Sequence, residues 1–329
     1  MSNLLCVGTA GMSVWFSRDN GESWIRPYIE SGLYLEARVW ALSAHPSRPG
    51  EVLAGTDSGL YRWNETTQKW THLPSVLDDY DIWSMAQAPD DPDTIVVGTQ
   101  PANIFLSTDG GKSFTPTKGS FADQCIFVGK PRVTQILFDP IDKDTLWAGV
   151  EIDGVHRSTD RGRTWKKVGQ GINSEDIHGI SVVKNATETG GKLVYATTNR
   201  GLNVSKDNGE TFSFQELDSP WQYTRTIKPR ADGDKTVFLT NGNGPPGSTG
   251  RLLRSRDYGA TFEDAGLPGT LNSTPWTVAT HPSDPKLIFV CSNLGQLFRS
   301  IDGGESWIKL PREFGEVRST IWQPLASTA

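Results

Sequence analysis

The sequence predicts an all-β chain folded as a seven-bladed β-propeller of four-stranded antiparallel blades. An octet of the form Ser-x-Asp-x-Gly-x-Ser/Thr-Trp/Phe recurs six times, beginning at Ser17, Ser107, Ser158, Ser205, Ser255 and Ser300 and ending on Trp24, Phe114, Trp165, Phe212, Phe262 and Trp307. A seventh, eroded copy runs from Trp63 to Trp70, with Glu65 in place of the Asp and Thr67 in place of the Gly. Successive copies start 46, 44, 51, 47, 50 and 45 residues apart. That period suits one four-stranded blade and excludes most helical repeats.

Within each repeat the same punctuation returns. The second reads VWALSAHP, a turn at SRPG, EVLAGT, a DSG turn, LYRW, the eroded octet and WTHLP. Apolar and β-branched stretches separated by Gly, Pro and Asp clusters are strands, labelled A to D from the axis outwards, and no segment carries a helical period. The octet is then the C-to-D hairpin turn. Its Ser and Asp side chains satisfy the turn's own N–H groups, its Gly takes a conformation that a side chain forbids, and its aromatic packs back between sheets. The octet aspartates are therefore read as structural.

The chain opens in strand B of the first blade (LLCVGTAG) and closes on EVRSTIWQPLA, which matches strand A. The last strand is thus expected to complete blade 1, leaving no open edge and making residues 1–329 one domain.

Composition narrows the function. The net charge of −6 comes with no block of Lys or Arg, which excludes a general nucleic-acid binder. Cys6, Cys125 and Cys291 are odd in number and far apart, without metal-ligand spacing, so neither a disulfide framework nor a metal or other cofactor is expected. No leader or run of about 18 apolar residues is evident, and the reading is a soluble cytoplasmic protein without a membrane partner.

The octets, six in one register, resemble the Asp-box or BNR-repeat superfamily over essentially the whole chain. That superfamily includes sialidases, xyloglucan-type glycoside hydrolases, sortilin-type receptors and photosystem II assembly factors. The resemblance implies the propeller but no particular chemistry, because superfolds host unrelated activities. Sialidases have six blades and an Arg-Ile-Pro type segment near the start, and this chain has seven octets and opens straight into one with MSVWFSRDNG. Xyloglucan-type enzymes set a cleft between two seven-bladed domains, and here there is one. No catalytic residue carries over from either.

A site is expected on the face opposite the octets, where the D-to-A and B-to-C connections converge on the axis. Aligned on its terminal Pro or equivalent, strand A places Trp40, Trp83, Thr134, His178, Tyr223, Trp276 and Arg318 six residues earlier, and Arg38, Asp81, Arg132, Asp176, Trp221, Thr274 and Glu316 eight residues earlier. Both positions share a strand face. Arg225 joins them only with a shifted register. The B-to-C loops add Asp57, Glu151, Asp153, Asn199, Asn243 and Asn293, and the loop Asn241 to Gly250 and the insert Thr115 to Lys130 are candidate lids.

Two functions fit this layer. In the first, a hydrolase or lyase acts on a small polar, anionic or carbohydrate-like substrate. His178, Asp176, Glu316, Asp81 and Glu151 would serve as acids and bases, with Asp176 orienting His178. Arg38, Arg132, Arg225 and Arg318 would anchor an anion, while Trp40, Trp83, Trp221, Tyr223, Trp276 and Asn243 would complete substrate binding. In the second, the ring is a non-catalytic binding or assembly scaffold. Mixed charges at equivalent positions near the axis favour the first.

Overall fold

The computed structural model describes residues 2–126, 129–184 and 191–325. Seven antiparallel sheets are arranged as propeller blades, with strand A innermost in each. Strand A spans Val317–Pro324 in blade 1, Val39–Ser43 in blade 2, Asp81–Ala88 in blade 3 and Val133–Phe138 in blade 4. It spans Ile177–Lys184, Thr224–Pro229 and Pro275–Ala279 in blades 5, 6 and 7. Each of these strands touches the next, including Val317–Pro324 against Val39–Ser43, so the ring closes. Closure runs through blade 1, whose middle strand Asn3–Thr9 pairs with Val14–Ser17 on one side and with Val317–Pro324 on the other. Blades 2 to 7 have four strands, as expected. The fourth strand of blade 1 is reduced to a bridge between Phe16 and Ile25.

Local chemistry makes the octets into hairpins. In the first, Gly21 N–H donates to Ser17 Oγ at 2.7 Å, Ser17 Oγ donates to Asp19 Oδ1 at 2.8 Å, and Ser23 N–H donates to the same Oδ1 at 2.9 Å. The Trp24 indole N–H closes onto Gly21 O at 3.0 Å. Gly21 sits at φ +97°, open to glycine without strain. The backbone N–H bond to the carboxylate recurs at Asp109, Asp160, Asp207, Asp257 and Asp302, and the indole bond recurs at Trp165. In the eroded copy Asn64 Oδ1 receives Thr67 N–H at 2.9 Å, and Glu65 holds the Trp63 indole at 2.9 Å instead. The turn survives because another acceptor occupies the space.

Hydrophobic packing lies between blades rather than within them. Phe16 of blade 1 stacks on Trp63 of blade 2 with ring centroids 4.7 Å apart, while octet aromatics Phe114, Trp165, Phe212 and Trp307 are all buried. Four strand B glycines let neighbouring blades approach. A Cβ on Gly8, Gly55, Gly98 or Gly149 would lie 2.8, 2.4, 2.6 or 2.6 Å from a β-branched residue near the start of the next strand A, namely Val39, Ile82, Val133 or Ile177.

One irregularity repeats in every blade and positions the site. The ladder between strands A and B slips once near the start of strand A, skipping Trp40, Trp83, Thr134, His178, Trp276 and Arg318 in six blades. In blade 6 the slip falls on Arg225 and Thr226. A bulge of this kind re-aims its extra side chain, here towards the central channel.

Candidate active site at the channel entrance

The bulge corrects the alignment of blade 6. Arg225, not Tyr223, is the counterpart of Trp40, Trp83, Thr134, His178, Trp276 and Arg318. Tyr223, two residues earlier, joins Arg38, Asp81, Arg132, Asp176, Thr274 and Glu316 in the layer nearer solvent, and Trp221 drops out of it. Counting back from Pro229 misplaces these residues because the blade 6 strand reaches its proline two residues sooner.

On the face opposite the octets, a cavity of about 550 Å³ opens over the channel. Its charged wall is Arg132 and Glu151 from blade 4, Asp176 from blade 5, Arg225 from blade 6, and Glu316 and Arg318 from blade 1. His178, Tyr223 and Trp276 complete the expected set. Pro245 and Pro246 overhang it from the loop Asn241 to Gly250, and Cys125 does so from the insert Thr115 to Lys130, of which residues 127–128 lie outside the described ones. Ile152, Leu294, Cys125 and the two prolines have no counterpart in the strand A periodicity. They come from loops, whose paths a period-2 pattern does not carry.

Below the cavity runs a channel of about 320 Å³ lined by Trp40, Trp83, His178, Arg225, Trp276 and Arg318, among others. Trp40 and Trp83 are not open stacking platforms. Their rings stack on each other at 4.4 Å, and the Arg132 guanidinium covers Trp83 at 4.1 Å. Arg318 stands over Trp40, Trp83 and Trp276 at 5.4, 5.7 and 5.5 Å, and Arg225 lies on Trp276 at 4.2 Å. Three arginines thus converge on one tryptophan-floored throat. Trp221 faces Arg251 at 5.5 Å instead, away from the cavity wall. Asn243 is spent within its own loop, donating to Ser248 Oγ at 3.0 Å and accepting Ser248 N–H at 2.9 Å.

Charges in the wall are mostly paired. Arg132 donates to Glu151 at 2.7 Å, and Arg318 contacts Glu316. His178 Nδ1 lies 2.8 Å from Thr224 O, which can only accept, so Nδ1 carries a proton; Nε2 lies 3.4 Å from Asp176 Oδ2. Burial pushes the Asp176 carboxyl up, yet the His178 contact and the fields of Arg225 and Arg132 leave it below its ordinary value. Arg225 is the exception. Among the described residues no carboxylate lies within salt-bridge distance of it. Its enclosure and the field of Arg132 pull its proton affinity down. Arg318 falls to about 10, chiefly by burial, then by Arg225 and Arg132. Burial drives the Tyr223 hydroxyl up to about 12.

Five buried polar atoms of this wall lack a partner among the described residues: Arg132 Nε, Arg318 Nε, Glu151 Oε2, Asp176 Oδ1 and Tyr223 Oη. Buried polar groups are ordinarily bonded, so such clustering marks a place built to receive something polar. A larger groove of about 800 Å³ lies at the outer edge between blades 5 and 6, but its acids Asp207 and Asp257 are held inside octet turns.

Across the ring a second group forms. Asp57, in the B-to-C loop of blade 2, accepts from the Tyr34 hydroxyl at 2.7 Å and from Arg38 N–H at 3.3 Å. Asp81, on blade 3, has its carboxyl raised by burial and then by the charge of Asp57, with Arg38 opposing. Asp81 is the one carboxyl in the entrance layer with a raised proton affinity among the described residues. Neither it nor Arg38 lines the 550 Å³ cavity. No group of three or more His, Cys, Asp or Glu among the described residues is placed to hold a metal ion.

Fold and entrance together define a closed seven-bladed propeller with a ligand-sized polar cavity on its axis. No protein-family model matches the chain. Its sequence is similar to an oligoxyloglucan-reducing end-specific xyloglucanase of Emericella nidulans, 26% identical over 249 residues, covering 70% of this chain and 30% of that protein. Its fold resembles the GH74 xyloglucanase of Xanthomonas campestris, with a TM-score of 0.61, 23% identity, and coverage of 82% of this chain and 45% of that one. It also resembles YCF48 of Cyanidioschyzon merolae, with a TM-score of 0.57, 15% identity, and coverage of 85% and 86%. The chain spans between 30% and 40% of the length of the curated relatives it first matches.

Proposed function

We propose that this chain is a carbohydrate-active hydrolase domain that receives a glycan on the face opposite the octets. The observation that carries the reading is the Asp57 and Asp81 pair. Two carboxyls on neighbouring blades share one rim, and one of them holds its proton more tightly than an ordinary aspartate. An environment that raises one carboxyl of such a pair suits that group to the role of general acid, with the other as base or nucleophile. The sugar class is supported by the relatives, whose printed names are xyloglucanases.

Hydrolysis of xyloglucan and cellulose oligosaccharides, followed by reducing-end release, tests it. Asp81→Asn and Asp57→Asn should each lower kcat by about 100-fold or more while the melting temperature holds. Since the raised carboxyl is the acid, activity should fall as pH rises through its pKa, with that limb displaced above the ordinary aspartate range. Unchanged turnover in both variants would remove the catalytic assignment.

A receptor reading also draws on one observation. Every carboxylate in the wall of the 550 Å³ cavity is tied to a cationic or imidazole partner, an arrangement suited to holding a ligand rather than to moving protons. Binding without turnover by the native chain would favour it.

A further inference from the structure

We infer that the throat of the entrance cavity is a carboxylate subsite, formed by Arg225, Arg318 and the Tyr223 hydroxyl, and that it takes the acid group of a uronic-acid sugar. The inference rests on the carbohydrate reading for the class of molecule, and on this cavity alone for the acid group.

Three guanidinium groups meet here, and two have a carboxylate at contact distance. Arg225 has none among the described residues. Its guanidinium carbon lies 4.2 Å from the centre of the Trp276 ring, and the residue lines the cavity. A guanidinium fork matches a carboxylate with two parallel hydrogen bonds, and such charge-assisted bonds are among the stronger ones proteins make. The Tyr223 hydroxyl has no hydrogen-bond partner among the described residues, and its high proton affinity keeps it a donor at neutral pH. Arg318 Nε is likewise unpartnered. Three donors therefore line one cavity, and none of them is bonded to an acceptor among the described residues.

The opposite polarity lies beside them. Glu151 Oε2 and Asp176 Oδ1 are buried acceptors without a donor among the described residues. They repel a second anionic group and attract hydroxyls. A ligand with one carboxylate and adjacent hydroxyl donors satisfies both sets together, as a uronic acid does and as the end of a simple fatty acid does not. The cavity of about 550 Å³ holds a short oligosaccharide.

Calorimetric titration of the full chain with trigalacturonate and with its methyl ester tests the inference. The acid should bind about tenfold or more tightly than the ester, as expected for loss of a charged hydrogen-bond pair. Arg225→Met, which keeps an apolar stem on Trp276, should bring the acid down to the affinity of the ester. Should that variant fail to fold, Tyr223→Phe still reads the subsite, through a several-fold loss confined to the acid. Equal affinity of acid and ester in the native chain, with neutral oligosaccharides still bound, overturns the inference and leaves the carbohydrate reading standing. If no saccharide binds, while acetate or a peptide C-terminus raises the melting temperature only when Arg225 is present, the sugar assignment falls together with that reading.

Discussion

The octet aspartates show how one residue type stabilises a turn and makes the turn sensitive to acid. Burial pushes Asp19 and Asp302 up, but bonds from Ser23 and Ser17, and from Ser306 and Ser300, hold both at about 2 against an ordinary value of 3.8. A carboxyl whose folded pKa is depressed favours the folded state once it is ionised. Its contribution is therefore complete above the unfolded value and disappears as pH falls through the folded one. Between pH 4 and pH 2 the melting temperature of the native chain should fall more steeply than that of an Asp19→Asn, Asp302→Asn double variant, measured by circular dichroism. Parallel slopes would mean that these turns are not held by ionised aspartate. This level was the most legible in the sequence, because the octet's hydrogen bonds all lie within five residues. His178 and Asp176 were legible as neighbours on one face. The unpaired state of Arg225 was not, since it depends on which distant carboxylates reach which arginine.

At the scale of the element, the strand B glycines and strand A bulges are two parts of one packing problem. Strand A must sit close to strand B of the preceding blade, and it must also turn one side chain into the channel. Gly55 solves the first requirement: a Cβ there would meet Ile82 Cγ2 at 2.4 Å and Met85 Cε at 2.8 Å. Gly55→Ala should cost about 1–3 kcal/mol by overpacking, read from urea unfolding. Adding Ile82→Ala should recover part of that loss, because the two positions share one contact, and additive losses would show that they do not. The bulge solves the second requirement, and it marks where periodicity stops being sufficient. Alternation assigned the correct face in six blades. In blade 6 the two-residue shift exchanged the roles of Trp221, Tyr223 and Arg225, and no residue type announces a bulge.

At the scale of the whole molecule, closure joins the two ends of the chain and connects stability to the site. Strand Val317–Pro324 pairs along Asn3–Thr9, with Leu5 opposite Trp322 and Val7 opposite Thr320. It buries Trp322 against Leu5, Val7 and Phe289 of the neighbouring blade. The same segment carries Glu316 and Arg318 into the entrance cavity. Removing residues 316–329 leaves Asn3–Thr9 as an open edge and uncovers two inter-blade cores, those of blade 1 against blades 2 and 7. An unpaired, hydrophobic edge invites association with other chains. The truncated chain should therefore lose its cooperative thermal transition and associate, as seen by calorimetry and light scattering. A synthetic peptide of residues 314–329 added in trans should restore the transition by rebuilding the strand. The point variant Arg318→Met separates the two roles of the segment, because it should weaken ligand binding while ring closure persists. A truncation that stays monomeric, with the melting behaviour of the native chain, would show that strand exchange between the termini is not what closes the ring.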